Sequence, residues 1–476
     1  MLFHSFLYIF FFLPVATIIY FVLRKRNYIV ISRWWLVVCS IVFYGWSRAW
    51  FVGILVLSIT ANYFFALFII RFSLTDKKKI ILFLAILFNI VVLGIFKYTD
   101  FFIDNLNFLA GRHVGSLNII LPLGISFYTF IQIAFLVDTY RGEIIENNFL
   151  NYIMTISFFP HLLSGPIIRY KNEALQFQDK ESGKVNYKNI AGGLFVFSIG
   201  LFKKVLIADN LSLVADAGFN VSNHLPFINA WITSISFTLQ LYFDFSGYTD
   251  MAVGSALIFN INLPINFNSP YKAVNIQDFW RRWHISLSTF LRDYIYIPLG
   301  GSRAGTISTY FNLMATFLVA GLWHGAGWTF LFWGFLHGSA LIIHRLWKKT
   351  GIAMPPVLAV FITFIFLNCS WIFFRARSLT RALYLLEDMF FFWKIDFSKG
   401  LMNGFIRIFN EWHSNNSVVT PLLIFLLAVI CFFGKNSNEQ LEGFKPEGRY
   451  LFATGLLFLV SFFFFAQFNK FIYTYF

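Results

Sequence analysis

The chain has 476 residues, of which 58% are hydrophobic, 21% are aromatic and only 12% are charged. A soluble globular domain carries about a quarter charged residues, so this composition excludes that class. The apolar runs approach the roughly 20 residues that cross a bilayer as a helix, whereas a membrane barrel would show short alternating segments. We therefore predict an all-α polytopic integral membrane protein, with residues 1–476 forming a single membrane domain.

The net charge of +15 would suggest nucleic-acid binding in a soluble domain. Here Lys and Arg form short clusters between apolar runs, and the positive-inside rule explains that placement, with contact to anionic lipid or acidic carriers as an addition. Cys39, Cys369 and Cys431 lie in separate apolar runs and form no ligand cluster. We therefore expect no nucleic-acid partner, no structural metal and no disulfide framework.

The first apolar segment, residues 2–23, has no basic region before it and no small-residue cleavage site, and Arg-Lys-Arg follows at 24–26. This pattern predicts a retained first helix with its N-terminus outside. Further apolar segments follow at residues 34–45, 51–70, 80–96, 119–137, 151–168, 191–207, 231–258, 306–323, 328–343, 356–374, 418–433 and 450–468.

The basic clusters cannot all lie on the cytoplasmic side if all thirteen segments cross the membrane. Segment 151–168 is followed by Arg169 and contains Pro160, Gly165 and Pro166, which interrupt helices. We therefore predict that this segment is re-entrant. Twelve crossings of the membrane then remain, with both termini and the mixed-charge loop 375–417 on the extracytoplasmic side.

Residues 275–298 show the pattern of an amphipathic helix, with Asn275 placed to cap its first turn. An apolar stripe recurs at spacings of three or four: Phe279, Trp283, Leu287, Phe290 and Tyr294. A polar stripe recurs likewise: Arg281, His284, Ser288 and Arg292. Such a helix lies along the cytoplasmic interface or lines a cavity. Its arginines could equally bind lipid phosphate, and His284 could equally serve as a structural hydrogen-bond donor.

His324 lies in a stretch between Ala304 and His344 that contains no Asp, Glu, Lys or Arg. An ionisable group inside the membrane is a functional-site hypothesis by default, because its placement there costs free energy. Glycines at 321, 325 and 327 permit a break or a close approach. A neutral imidazole in a dry site can act as general base on a hydroxyl without a metal. The alternative is a structural histidine, which we favour for His337 and His161.

Asp244 and Asp250 lie within an apolar run, six positions apart. They do not share a helical face unless Gly247 breaks the helix. We favour ion pairs with Lys203 and Lys204, or with the arginines of residues 281–303, over acid catalysis.

Several motifs occur in order within residues 120–345: Tyr242-Phe243-Asp244-Phe245-Ser246-Gly247-Tyr248, Asn268-Ser269-Pro270-Tyr271, Phe279-Trp280-Arg281-Arg282-Trp283-His284-Ile285-Ser286-Leu287-Ser288, Leu291-Arg292-Asp293-Tyr294, Ile297-Pro298-Leu299-Gly300-Gly301 and Gly321-Leu322-Trp323-His324-Gly325. Together with residues 159–167, they resemble the membrane-bound O-acyltransferase superfamily, and specifically its bacterial AlgI-like branch. A set of motifs in the right order is far more specific than any single short motif.

The resemblance implies a ring of about 11–12 transmembrane helices, plus re-entrant and interfacial helices, around a central tunnel. A cytoplasmic thioester donor would meet an acceptor there from the other side. It implies that His324 is the essential catalytic residue and that His284 is its partner. Donor-binding or site-lining roles fall to Arg281, Arg282, Ser288, Arg292 and Trp323, and structural or tunnel-polar roles to Asp244, Asp250 and His161. Acetyl-CoA or an acyl-carrier thioester would be a substrate, and no bound cofactor is implied.

The implied activity is O-acetylation of an extracytoplasmic polysaccharide of the alginate or peptidoglycan type, completed by a separate periplasmic SGNH-type acetyltransferase. The alternatives are a D-alanyl transferase toward teichoic acid, using an acyl carrier protein, and a non-catalytic transporter, although no inverted repeat is evident. One conflict arises from the predicted topology. His284 lies near the cytoplasmic face and His324 near an outward turn, so they share a site only if helices are short, broken or tilted into a cavity.

Overall fold

The computed structural model describes residues 1–111, 114–145, 148–179, 183–221, 224–303, 305–391 and 419–464. The α-helices in these ranges are α1 (Leu13–Lys25), α2 (Ile29–Gly45), α3 (Trp50–Arg71), α4 (Lys77–Lys97), α5 (Thr99–Ala110), α6 (Ile125–Arg141), α7 (Phe149–Ser157), α8 (Phe159–Leu162), α9 (Tyr170–Gln178), α10 (Tyr187–Phe202), α11 (Asp209–Asn220), α12 (Phe227–Ile258), α13 (Ile276–Arg282), α14 (Ile285–Leu291), α15 (Thr306–His324), α16 (Trp328–Thr350), α17 (Pro356–Arg375), α18 (Leu379–Phe390), α19 (Val419–Phe433), α20 (Ser437–Glu442) and α21 (Gly448–Phe463). Each predicted apolar segment overlaps at least one of these helices, and these ranges contain no strand.

Six helical stretches among the described residues are long and apolar enough to cross a membrane: Tyr8–Lys25, Trp50–Arg71, Lys77–Lys97, Tyr187–Asn220, Thr306–His324 and Pro356–Arg375. Three further apolar helices are shorter: Ile29–Gly45, Pro421–Phe433 and Gly448–Phe463. The prediction of an all-α polytopic membrane protein is therefore confirmed. The number of twelve crossings, the single domain and the orientation of the termini stay predictions.

Several segment boundaries differ from the prediction, among them the following three. The helix expected from residue 119 begins only at Ile125, because Gly124 adopts a left-handed φ of 71° directly before it. The predicted loop 375–417 contains α18, whose first turn is capped by the Ser378 side chain; residues 392–418 lie outside the described part. The last predicted segment is helical as far as Phe463, and its residues 465–468 also lie outside the described part.

The central helix of the bundle is α12, which packs against α10, α11, α17 and α18. It runs unbroken through Gly247, so no helix break brings Asp244 and Asp250 together. The glycine instead permits a close helix crossing. A β carbon on Gly247 would lie 2.8 Å from the carbonyl oxygen of Gly200 on α10, and one on Gly200 would lie 2.5 Å from that of Gly247.

We expect Gly247→Val to lower the thermal midpoint of the detergent-solubilised protein or to prevent its folding. The added β carbon would meet backbone atoms of α10, which cannot move aside as a flexible side chain can. Fluorescence-detected size-exclusion chromatography after heating measures the change. The matched control is Gly53→Val, because a β carbon on Gly53 meets no atom within 4 Å. Equal midpoints for the two variants would contradict the close crossing.

The segment predicted to be re-entrant, 151–168, is broken at the positions its proline and glycine indicate. It forms α7 and the short α8, and an extended chain then leads to α9. The irregular backbone is buried and finds side-chain partners, because Phe159 N–H donates to Ser40 Oγ at 3.0 Å and Ile167 N–H donates to Ser286 Oγ at 3.0 Å. Such partners are what non-helical backbone needs at membrane depth.

The prediction of one continuous helix over residues 275–298 is wrong. Asn275 caps the start as expected, since its side-chain oxygen accepts from the Asp278 N–H at 2.8 Å. The helix then stops, because His284 adopts a left-handed conformation with φ 42° and ψ 55° between α13 and α14. At the break the Ile285 N–H donates to the backbone oxygen of Asn266 at 3.0 Å. In a continuous helix this N–H would donate to the carbonyl four residues earlier, whereas here it donates to the extended chain after α12.

The break also divides the predicted polar stripe. The side chains of Arg281 and Arg292 are exposed, whereas His284 is fully buried. A short π-helical turn, Arg292–Tyr296, follows α14. This part of the chain therefore has no continuous polar face, and His284 points into the protein instead.

Candidate active site

His324 is the last residue of α15 and is only 3% exposed. Its ring packs against the aromatic rings of Trp333 and Phe374, with centroid distances of 5.1 and 5.0 Å. A β carbon on Gly325 would overlap the ring of Phe330, so the glycine allows the chain to turn tightly into α16. The close approach predicted from the glycines is therefore present, and it fixes the end of the helix that carries His324.

His324 lines a cavity of about 70 Å³, which we call the histidine cavity. Its other walls come from the end of α4, the start of α6 and the broken segment: Lys97, Leu121, Pro122, Leu123, Gly124, Ile125, Ser126, Phe127, Leu163, Ser164 and Trp323. Most of these residues are small or apolar. The imidazole, the Lys97 ammonium and the Ser126 hydroxyl bring polar chemistry to the cavity.

His284 is held by a neighbouring amide. Its Nδ1 lies 3.1 Å from Asn266 Oδ1, and the same oxygen accepts from the Ser286 N–H at 3.2 Å and from Ser286 Oγ at 2.8 Å. A backbone N–H can only donate, so the Asn266 atom facing it must be the oxygen. Nδ1 of His284 therefore carries the proton, and Nε2 is the basic nitrogen. Burial lowers the pKa of His284 to about 3, which keeps the ring neutral.

The two histidines flank one tryptophan. The ring centroid of Trp323 lies 6.0 Å from that of His284 and 4.9 Å from that of His324. They are therefore not a bilayer core apart, because α13 breaks inside the protein and α15 also ends there. The predicted topology allowed a shared site only if the helices here were short, broken or tilted, and the break at His284 meets this condition. In the described part of the chain, no three His, Cys, Asp or Glu side chains are grouped to hold a metal ion.

A second cavity of about 150 Å³ is lined in part by the two residues after His284, and we call it the arginine cavity. Its walls are Ala134, Ile167, Ile168, Arg169, Asn172, Pro264, Ile265, Ile285, Ser286, Thr289, Phe290 and Tyr294. Arg169 pairs with Asp293, and its guanidinium lies 5.5 Å from the ring centroid of Tyr294. The Tyr294 hydroxyl donates to Asp138 at 2.8 Å. The wall of the arginine cavity thus contains the guanidinium of Arg169, which Asp293 and Tyr294 hold in place.

An aromatic stack joins the walls of the two cavities. Phe290, from the arginine cavity, stacks on Phe130 with centroids 4.1 Å apart. Phe130 stacks in turn on Trp323, from the histidine cavity, at 5.3 Å. The stack thus connects the wall of the arginine cavity with the tryptophan that lies beside both histidines.

Of the residues predicted to bind the donor or line the site, Trp323 lines the histidine cavity. Among the described residues, the other predicted side chains line neither cavity: Arg281, Arg282, Ser288 and Arg292. Arg282 pairs with Asp278 at 3.0 Å, and Arg292 pairs with Asp293 at 2.6 Å. A donor-binding role for these arginines stays a prediction, and it would have to act at the protein surface.

Sequence reasoning missed four polar residues of the site: Lys97, Ser126, Arg169 and Asn266. Lys97 and Arg169 each directly follow a predicted membrane segment, 80–96 and 151–168. The topology prediction uses Arg169 only as a charge and does not use Lys97. Asn266 lies two positions before the Asn268 motif. Its place directly before a stretch already assigned to the family was a usable signal.

The two aspartates of α12 form ion pairs outside both cavities, as the favoured interpretation predicted. Lys203 Nζ lies 2.7 Å from Asp250. Lys204 Nζ lies 2.8 Å from Asp244 and 2.7 Å from Asp209, and all three of these side chains are almost fully buried. The geometry supports a structural role for Asp244 and Asp250.

We expect Lys204→Met to destabilise the protein strongly, because two buried carboxylates would lose their cation. Removing one partner of a buried pair costs about 3–5 kcal/mol. Thermal unfolding in detergent measures the loss. Lys188→Met is the matched control, since Lys188 lies on α10 with its side chain exposed. A Lys204→Met protein as stable as this control would contradict the role of the ion pairs.

Two other buried histidines, His337 and His161, lie outside both cavities. His337 accepts from Trp280 Nε1 at 3.3 Å through Nδ1, and its Nε2 lies 3.1 Å from Ser370 Oγ. Both ring nitrogens are thus in use. His161 faces Glu173, with 3.6 Å between Nε2 and the carboxylate, and both side chains are buried. Neither histidine lines the histidine cavity or the arginine cavity.

The sequence of this chain matches a known protein family. The sequence profile of the membrane-bound O-acyltransferase family matches residues 142–386, which include α7 to α17 and His284 and His324. The chain belongs to this family. The resemblance inferred from the motifs is therefore confirmed, and this member of the membrane-bound O-acyltransferases is an O-acyltransferase.

Curated relatives cover most of the chain. The peptidoglycan O-acetyltransferase of Helicobacter pylori is 49% identical over 419 residues, which cover 82% of this chain and 80% of that protein. The probable alginate O-acetylase AlgI of Pseudomonas aeruginosa is 38% identical over 464 residues, covering 94% of this chain and 84% of that protein. The teichoic acid D-alanyltransferase of Bacillus subtilis is more distant, at 29% identity over 280 residues, covering 55% of this chain and 70% of that protein.

Proposed function

We propose that this membrane-bound O-acyltransferase moves acetyl groups from a cytoplasmic thioester donor across the bacterial inner membrane, for O-acetylation of an extracytoplasmic polysaccharide of the peptidoglycan or alginate type. The observation that carries the proposal is that His284 and His324 both lie beside the ring of Trp323, which lines the histidine cavity together with His324. The names and identities of the two most similar relatives described above support the acetyl group and the class of acceptor.

The proposed reaction is a direct acyl transfer. The acceptor hydroxyl gives its proton to the imidazole of His324 while its oxygen attacks the thioester carbonyl carbon. The new carbon–oxygen bond forms, the carbon–sulfur bond breaks, and the thiolate takes the proton from the imidazolium. Burial favours this role, because His324 is only 3% exposed and few water molecules can compete with the acceptor hydroxyl for its imidazole.

His284 has a different task in the proposal. With its proton on Nδ1, its Nε2 can accept a hydrogen bond but cannot donate one, so the neutral ring does not polarise the thioester carbonyl. We infer that Nε2 orients a substrate by accepting from one of its O–H or N–H groups. Nε2 has no hydrogen-bond partner among the described residues, which leaves it available for that contact.

The two cavities suggest the two sides of the reaction. Arg169 lines the arginine cavity, Arg141 contacts the Tyr294 ring of its wall, and Lys171 lies two positions after Arg169. The positive-inside rule favours a cytoplasmic position for such a cluster. A guanidinium also suits the phosphates of coenzyme A or of a carrier protein's prosthetic arm. The histidine cavity would then open toward the acceptor. A periplasmic SGNH-type acetyltransferase would complete delivery to the polymer.

The test is a deletion strain of the source bacterium that carries either the wild-type gene or a His324→Ala variant. We expect mass spectrometry of cell-envelope glycans to show acetyl esters only with the wild-type gene. Purified protein supplied with acetyl-CoA or with an acetyl-loaded carrier protein then identifies the donor. Unchanged acetylation in the deletion strain would overturn the proposal, and loss of D-alanyl esters instead would favour the D-alanyl transferase alternative.

A further inference from the structure

The C-terminal end of α15 is held by α4. The last carbonyl groups of a helix have no partner within that helix, so each needs a donor from elsewhere. The Leu322 carbonyl accepts from the Tyr98 hydroxyl at 2.6 Å. The carbonyls of Trp323 and His324 both accept from Lys97 Nζ, the latter at 3.2 Å.

This arrangement satisfies the whole final turn. The Gly321 carbonyl accepts from the Gly325 N–H at 3.3 Å, so the carbonyls of residues 321–324 all have donors. Two of these donors come from adjacent residues at the end of α4, more than 220 positions earlier in the chain. The residue at the end of the turn is His324, so the cap acts directly on the backbone that carries the imidazole.

The amine that caps the turn also belongs to the site. Lys97 lies on the wall of the histidine cavity, 3.5 Å from Ser126 Oγ, and its ammonium is 6.0 Å from the centroid of the Trp323 ring. No ion pair joins Lys97 to a carboxylate in the described part of the chain. A cation at a helix C-terminus interacts favourably with the negative end of the helix dipole. The Lys97 amine thus contacts the carbonyl groups of Trp323 and His324 instead of a carboxylate.

We propose that Lys97 is a positioning residue of the acyl-transfer site, which fixes the final turn of α15 and through it the imidazole of His324. The inference rests on the proposed function, because it assumes that His324 takes the proton of the acceptor. Tyr98 completes the same cap from the neighbouring position. Without Lys97, the carbonyls of Trp323 and His324 lose their donor inside a water-poor site, and the final turn loosens.

The experiment compares Lys97→Met, Lys97→Arg and Tyr98→Phe in purified, reconstituted protein with a saturating thioester donor. Misplacing a catalytic group by about 1 Å can cost roughly a hundredfold in rate. We therefore expect Lys97→Met to lower kcat about a hundredfold with little change in KM for the donor. Lys97→Arg keeps N–H donors at the carbonyls and is expected to recover about tenfold of that loss. Tyr98→Phe removes one neutral donor and is expected to lower kcat less than Lys97→Met does.

Lys77→Met at the other end of α4 is the matched control, because its side chain is exposed and lines neither cavity. Hydrogen exchange of residues 318–327, followed by mass spectrometry, gives a readout that does not depend on activity. We expect faster exchange in Lys97→Met than in the wild type and in Lys77→Met.

The outcomes separate the two proposals. Normal kcat in Lys97→Met, equal loss in the Arg and Met variants, or unchanged exchange at residues 318–327 would each overturn the role of Lys97. A wild-type protein that transfers no acyl group from any thioester donor would instead overturn the proposed function. In that case the exchange measurement still decides whether Lys97 holds the final turn.

Discussion

Replacing His324 with Ala is expected to lower acetyl transfer by about a thousandfold or more while the protein still folds. Loss of a positioned general base typically costs about 10²–10⁴ in rate, and His324 is the imidazole on the wall of the histidine cavity. Release of the free thiol from an acetyl thioester donor by purified, reconstituted protein measures the rate. Detergent size-exclusion profiles and thermal midpoints show whether the fold is retained.

Two further variants sharpen this prediction. His324→Gln keeps most of the side-chain volume and the contacts with Trp333 and Phe374, so an inactive Gln variant separates lost proton transfer from lost packing. His344→Gln is the matched control, because His344 lies on α16 and lines neither the histidine cavity nor the arginine cavity. Near-normal turnover by His324→Ala would show that another group accepts the proton.

The second large effect is expected at His284 and its amide partner. We expect His284→Ala to lower kcat/KM about a hundredfold, because the site loses its basic Nε2 on the donor side of Trp323. Asn266→Ala is expected to cost less, about tenfold, because the ring stays but its tautomer is no longer fixed. Asn266→Asp keeps an acceptor at the same place and should retain more activity than Asn266→Ala.

The order of these variants is the informative measurement. Steady-state kinetics at several donor concentrations should give His284→Ala as the slowest, then Asn266→Ala, then Asn266→Asp. Asn268→Ala serves as the matched control, since Asn268 is exposed and its side chain contacts Asn436 rather than a histidine. An Asn266→Ala protein as active as Asn268→Ala would show that the amide does not set the state of His284.

Sequence alone predicted the features that depend on neighbours along the chain. Apolar run length located the membrane helices, and Asn275 was correctly expected to cap α13. The isolation of His324 in an apolar stretch marked it as a site residue before any comparison. The glycine after it signalled the tight approach of Phe330. In each case the deciding interaction spans a few residues, or follows from the cost of placing a charge in lipid.

Other features needed contacts that no periodicity records. The sequence pattern assigns donor binding to the arginines near His284. In the structure, Arg169, which follows the broken segment, lines the arginine cavity instead. The predicted helix over 275–298 failed because the backbone of Asn266 accepts a hydrogen bond at the break. Apolar residues at spacings of three and four indicate a helix considered by itself. They cannot show which backbone N–H groups of that helix will donate to a distant segment instead.

The sequence by itself thus determined that this is a helical membrane protein of the O-acyltransferase family, and it marked His324 as a candidate site residue. Only the tertiary structure decided that His284 and His324 share the ring of Trp323, and that Lys97 holds the turn on which His324 lies. The physical reason is that buried polar groups must find partners wherever the fold brings them. Lys97 and His324 lie 227 positions apart in the chain.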